Sequence, residues 1–276
     1  MIDPQAAIRP AAVAGMFYPA EPAELEAVVR ADLARAAAAA VSDGPPAATS
    51  EPPHALVAPH AGYAYSGPVA ASAYVRVRDR RDTIERVVLL GPAHRVPLRA
   101  MALPTVDGFA TPLGIVPIDG TGRSVLTGHP DVVLDDRPHA QEHSLEVHLP
   151  FLQVVLGNAW SLLPIVVGQV PATSVAELLR AVWGGPETLV VVSTDLSHYH
   201  DHDTARSLDA TTAAAIVARR GDLVLPHDAC GVYPLRGLLA EAERLDLPVE
   251  SVDLRTSGDT AGDRRRVVGY GAFTVG

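Results

Sequence analysis

Four uninterrupted apolar runs divide the middle of this chain: HALVAP (54–59), RVVLLGP (86–92), SLLPIVVG (161–168) and TLVVVSTD (188–195). None alternates polar with apolar residues, and each is closed by Gly, Pro or Ser, so each reads as a strand covered on both faces. A sheet of such strands needs helices on both sides. Ser66–Val77, Ala140–Leu156, Ser174–Trp183 and Thr204–Arg219 carry helical spacing between the runs, and Pro22–Ala40 is amphipathic. The alternation predicts a single α/β domain over residues 1–276, with a largely parallel central sheet flanked by helices. VSDGPPAATSEPP (41–53) reads as a surface loop, not as a domain boundary. SVDLRTS (251–257) and RVVGYGAFTV (266–275) read as two strands joined by a Gly/Asp turn at the sheet edge.

Charge narrows the range of partners. The formal net charge is −10, and the basic clusters at Arg76–Arg86 and Arg264–Arg266 are short or interleaved with acids. Neutralising a phosphate surface needs clustered Lys and Arg, so neither nucleic acid nor an anionic membrane is expected as a partner. No apolar run approaches the roughly 18 residues of a spanning helix, and the N-terminal stretch has no leader pattern, which makes the expected location cytoplasmic.

Ligands of open α/β sheets gather beyond the carboxyl ends of the strands. His60 follows VAP, His94 follows LLGPA, and Asp195 with His198 follow VVVST. Cys230 is the only cysteine, so it has no disulfide partner within the chain and is either a small buried hydrophobe or a nucleophile or metal ligand. Joined to His60 and His94 it would give a divalent cation two neutral nitrogens and a thiolate, with open coordination positions. Asp195 near His198 is expected to raise the imidazole's pKa and fix its tautomer, which suits a general base. Asp228 reads as an anion at a helix start, and His200 and His202 as solvated loop residues. Ser66 and Ser193 lie outside any G-x-S-x-G nucleophile turn and suit capping. TSGD (256–259) reads as a turn, because no P-loop lysine accompanies it.

A rival metal site is HAQEH (139–143), which satisfies H-x-x-E-H. On a helix, His139 and His143 would share one face and Glu142 would activate water, as in an inverted zinc peptidase. Glu142, His143 and Tyr63 are further candidates for lining the pocket.

RPAAVAGMFYP (9–19), APHAGYAYSG (58–67), GPAH (91–94), TPLG (111–114), EHSLEVHLPFLQ (142–153), STDLSHY (193–199), ACG (229–231) and TSGD (256–259) closely resemble the ordered motifs of the Memo family. That family is named from the mediator of ErbB2-driven cell motility, and its bacterial and archaeal members are called AmmeMemoRadiSam system protein B. The resemblance covers essentially the whole chain. It implies a fold similar to the class III extradiol dioxygenases, with His60, His94 and Cys230 at the metal-binding positions and Asp195 and His198 lining the same pocket. His198 matches a dioxygenase acid/base histidine. Cys230 stands where those enzymes have a carboxylate, a departure that favours softer metals and exposes an oxidisable ligand to dioxygen. The implied cofactor is one transition metal ion, iron first, then copper or zinc. The implied function is Fe(II)-dependent oxidation of a small aromatic or hydroxylated substrate. The alternative is a non-catalytic module for metal handling or for binding a peptide or protein, and the family name also implies a radical-SAM system partner.

Overall fold

A computed structural model describes residues 6–42 and 52–276. Most of the loop expected over 41–53 and the first five positions of the N-terminal stretch lie outside the described residues. The strands are β1 (Ile8–Arg9), β2 (Ala55–Ala58), β3 (Arg86–Pro92), β4 (Met101–Leu103), β5 (Gly108–Thr111) and β6 (Gly114–Pro117). They continue with β7 (Val132–Leu134), β8 (Ser161–Val167), β9 (Thr188–Ser193), β10 (His198–His200), β11 (Val249–Thr256) and β12 (Val267–Val275). The helices are α1 (Pro22–Ser42), α2 (Tyr63–Tyr74), α3 (Gly120–Leu126), α4 (Arg137–Ala140) and α5 (Leu149–Leu156). After them come α6 (Ala172–Val182), α7 (His202–Val217), α8 (Val232–Arg244) and α9 (Ser257–Thr260).

All four apolar runs are strands, and they lie side by side. The nine-stranded sheet has the order β10-β12-β2-β9-β3-β8-β4-β7, with β11 on β12. The centre, β2-β9-β3-β8, is parallel. β12 runs antiparallel to β2 and to β11, so only β11 of the expected hairpin is peripheral. A separate three-stranded sheet, β1-β5-β6, ties the N-terminal segment to the middle of the chain.

Side-chain alternation explains why the central runs are apolar throughout. Leu56, Val87, Leu89, Leu189 and Val191 enter one core layer, while Val57, Val88, Leu90, Val190 and Val192 enter the other. Each fully buried Val or Leu contributes about 1.5–3 kcal/mol relative to exposure, so a polar residue on either face would be costly. Pro164 is tolerated inside β8 because β4 pairs only as far as Val166 and Val167, and no β4 residue needs a donor at the proline.

One helix is much shorter than its spacing suggests. Of Ala140–Leu156, only Ala140, the last residue of α4, and Leu149–Leu156 are α-helical, with a single 3-10 turn at Glu146–His148 between them. The Glu142 carboxylate accepts hydrogen bonds from the backbone N–H groups of His143 and Ser144, each at 3.0 Å, and so takes donors that a continuous helix would use. Pro150, in the first turn of α5, suits a helix start there.

Candidate metal centre

β2, β3 and β9 each end two residues before a polar side chain of the site, namely His60, His94 and Asp195. Because the strands are parallel neighbours, their carboxyl ends open on the same edge of the sheet. Cys230 arrives from the far side of the sequence, just ahead of Gly231, the N-cap of α8. The loop is fastened to the end of β9: the Cys230 N–H donates to the Asp195 carbonyl (3.2 Å) and the Gly231 N–H to Thr194 Oγ1 (2.8 Å). Glycine is required at 231, since a Cβ there would meet the backbone of Ser193 and come 2.7 Å from Thr194 Cβ.

Coordinating atoms of His60, His94 and Cys230 all lie within 4.8 Å of one another. Cys230 Sγ is 3.3 Å from His60 Nε2, and it accepts a hydrogen bond from the Asp195 N–H at 3.2 Å. The His60 and His94 rings approach edge to face, with centroids 5.1 Å apart. Two imidazole nitrogens and one sulfur fit a transition metal of borderline or soft character. His60 is buried, whereas His94 stands at the open side, which leaves an approach for solvent or ligand.

Burial sets the charge states. It pushes the Cys230 thiol up to about 12, with Asp195 adding to the shift, and it holds the His60 pKa well below its ordinary value. It also lifts Asp195 to about 7. Without a cation the centre is therefore a neutral thiol beside a neutral imidazole. A bound cation would favour the thiolate and reverse that balance.

Asp195 does not partner His198 as expected. Its Oδ1 accepts from the His60 N–H at 2.8 Å, and its Oδ2 stands 4.0 Å from His60 Nε2. The pKa of His198 is lowered, chiefly by burial, where the nearness of Asp195 in sequence predicts a rise. The physical reason is that the carboxylate serves the β2 loop, while His198 loses water without gaining an ion pair. His198 belongs to β10, which pairs with β12 through a register shift between His198 and His200. His202 is also unlike its solvated reading: it is buried, with Nδ1 2.9 Å from Thr256 Oγ1.

Glu142 and His143 do come to the centre, but from an irregular segment. Glu142 Oε1 accepts from His94 Nδ1 at 2.9 Å, and Oε2 accepts from the His94 N–H at 2.6 Å. The carboxylate is held near pKa 2 despite burial, by hydrogen bonds and charge from His94 and by the Ser144 N–H. His143 stacks on His94, centroids 4.7 Å apart, and meets His60 edge to face at 5.4 Å. A second possible ligand group, His94, Glu142 and His143, is formed this way. Glu142 already accepts four hydrogen bonds there, so it acts as a support for His94 more readily than as a ligand.

The inverted-peptidase geometry is absent. His139 points its Nε2 at the Ala102 carbonyl (3.0 Å) and packs edge-on to Phe109, while His143 follows the break in the helix. The two rings therefore share no helical face. Tyr63 is likewise a core residue: its hydroxyl donates to the Val147 carbonyl (2.6 Å) and its ring packs between Tyr18 and Phe151. Asp228 accepts from the Leu225 N–H (2.7 Å) and closes the preceding turn, not α8. Two surface grooves, of about 440 and 540 Å³, lie away from all of these residues.

No local sequence pattern marks Arg9 and Glu146 as a pair. Arg9 Nη1 donates to Glu146 Oε2 at 2.6 Å, and Arg9 also reaches the carbonyls of His139 (2.7 Å) and Glu142 (2.8 Å). Glu146 accepts further from the Ala12 and Val13 N–H groups and from the Tyr18 hydroxyl. The N-terminal segment thereby clamps the stretch that carries Glu142. A charged residue at the start of RPAAVAGMFYP was the available signal.

No helix among the described residues is long and apolar enough to cross a membrane. A solved structure of an uncharacterized protein from Escherichia coli K12 shares the fold at a TM-score of 0.50 and 14% identity, covering 80% of this chain and 99% of that one. A MEMO1 family protein of Methanopyrus kandleri is 36% identical over 282 residues, covering 96% of this chain and 98% of the relative. A MEMO1 family protein of Aquifex aeolicus is 35% identical over 274 residues, covering 95% and 97%. The model of the Memo-like protein family matches residues 9–274, a span that holds the whole His60–His94–Cys230 centre and its Arg9 and Glu146 clamp, and the chain belongs to that family.

Proposed function

We propose that this chain binds one transition metal ion through His60, His94 and Cys230 and uses it for oxidative chemistry on a small hydroxylated or aromatic substrate. The observation that carries the reading is the 3.3 Å approach of Cys230 Sγ to His60 Nε2, with His94 completing a group inside 4.8 Å. Iron is the first candidate, on the resemblance in fold between the Memo family and the extradiol dioxygenases, and copper is the second, on the softness of sulfur. The metal would supply a Lewis-acidic, redox-active point at the end of the sheet. The protein's own part is the handling of protons. His198, kept neutral by burial at physiological pH, is suited to accept a proton from a substrate hydroxyl.

The thiol itself favours a second reading. A sulfur ligand is oxidisable beside activated dioxygen, so the same centre would serve equally as a metal-handling or peptide-binding module. Oxygen uptake by iron-loaded protein with a panel of catechols, under reducing conditions, separates the two. Turnover that disappears in His198→Ala while metal content is retained supports the enzyme. Absence of uptake with every member of the panel supports the binding module.

A further inference from the structure

Ser193 ends β9 and has no place in the ligand set, yet its hydroxyl lies 2.6 Å from His60 Nδ1 and 2.6 Å from the Ser144 carbonyl oxygen. A carbonyl can only accept. The single hydroxyl proton therefore goes to Ser144, and the serine oxygen must accept from His60, which places the ring proton on Nδ1 and leaves the Nε2 lone pair facing Cys230. His94 is treated in the same way from the same segment, because its Nδ1–H donates to Glu142 Oε1 at 2.9 Å. Two ligands on different strands are thus oriented by one irregular tripeptide, Glu142–Ser144, directly at His94 and through Ser193 at His60.

The tripeptide is itself fixed. Ser144 Oγ donates to the Pro92 carbonyl at 2.9 Å, at the end of the strand that leads to His94. Gly91 makes the approach possible, since a Cβ there would lie 2.9 Å from Ser144 Oγ and 2.8 Å from Leu145 Cδ2. The helix break in EHSLEVH therefore has a use: in a continuous helix the Ser144 carbonyl would be directed to a backbone donor one turn on, not to Ser193. The geometry also removes Ser193 from consideration as a nucleophile, because no base receives its proton.

We propose that Ser193 is a positioning residue that sets the His60 tautomer for metal binding, acting as the link between His60 and the Ser144 carbonyl. This rests on the metal-centre reading, and the test separates the two. Nitrogen-15 NMR of the metal-free protein, with His60 identified by the loss of its signals in His60→Gln, is expected to show a neutral ring protonated at Nδ1. An Nε2-protonated His60 ring in the wild type overturns the proposal whatever the Ser193 variants show. Cobalt(II) titration should show Ser193→Ala weakened by about 10- to 100-fold, the usual effect of losing an outer hydrogen-bond partner of a ligand histidine. Ser193→Thr, which keeps the hydroxyl, should restore binding, and the urea midpoint of either variant should not track the loss. Wild-type tautomer and cobalt affinity in Ser193→Ala would overturn the proposal while leaving the metal centre intact. Failure of the wild type to bind cobalt, iron or copper at all would overturn the metal reading, and with it the role assigned to Ser193.

Discussion

Cys230 Sγ lies 3.3 Å from His60 Nε2 although 170 positions separate the two residues. With the His60 tautomer proposed above, the thiol proton and the imidazole lone pair face each other in the metal-free state, an arrangement a cation can enter only by displacing that proton. Since burial raises the thiol to about 12, it is protonated throughout the neutral range. Metal binding should therefore release a proton, and affinity should fall by about tenfold for each pH unit of acidification. Potentiometric or dye-based proton counting during cobalt(II) titration checks this. Cys230→Ser should abolish the near-ultraviolet sulfur-to-cobalt absorption and weaken binding sharply.

Glu146 is fully buried and holds Arg9, two backbone N–H groups and a tyrosine hydroxyl. Glu146→Gln leaves the Arg9 charge buried without its counter-ion. A cost of about 3–5 kcal/mol is expected for breaking a buried pair from one side. Urea denaturation of the metal-free protein provides the measurement, and no change in midpoint would refute the clamp.

Acid should destabilise the fold through His148, which burial lowers to about 3. A histidine whose folded pKa is depressed contributes its full share above the unfolded value near 6.5, and that share is lost as pH falls from there toward 3. Between pH 7 and pH 5 the loss is about 2 kcal/mol for this one ring. Asp195, raised to about 7, acts in the opposite direction over part of the same window, so the test must isolate the histidine. The drop in stability between those two pH values should be about 2 kcal/mol smaller in His148→Gln than in the wild type.

His139 turns its Nε2 to the Ala102 carbonyl and lies outside both candidate ligand groups. His139→Gln, whose side-chain amide can still donate to the Ala102 carbonyl, is expected to retain full metal content and affinity. Loss of metal in that variant would revive the H-x-x-E-H reading.

Much of this arrangement was legible in the order of residues. Continuous apolar runs identify the central strands because both faces are buried, and a parallel sheet gathers the residues that follow them, which is why His60 and His94 could be named together. Tertiary contacts were not legible in the same way. Helical spacing over Ala140–Leu156 gives no sign that Glu142 turns back onto its own backbone and onto His94. Proximity in sequence likewise suggested an Asp195–His198 couple, but the aspartate instead faces His60, whose strand is a neighbour only in space. The Arg9–Glu146 pair spans 137 positions, beyond the reach of any local pattern.

The most direct test is quantification of metal in untagged protein, purified without added metal and compared with His60→Ala and Cys230→Ser prepared alongside. One equivalent of a single transition metal in the wild type, lost from both variants while their far-ultraviolet circular dichroism is unchanged, is the expected result. Equal metal content in all three proteins, or none in the wild type after reconstitution with iron, copper and zinc, would contradict the account.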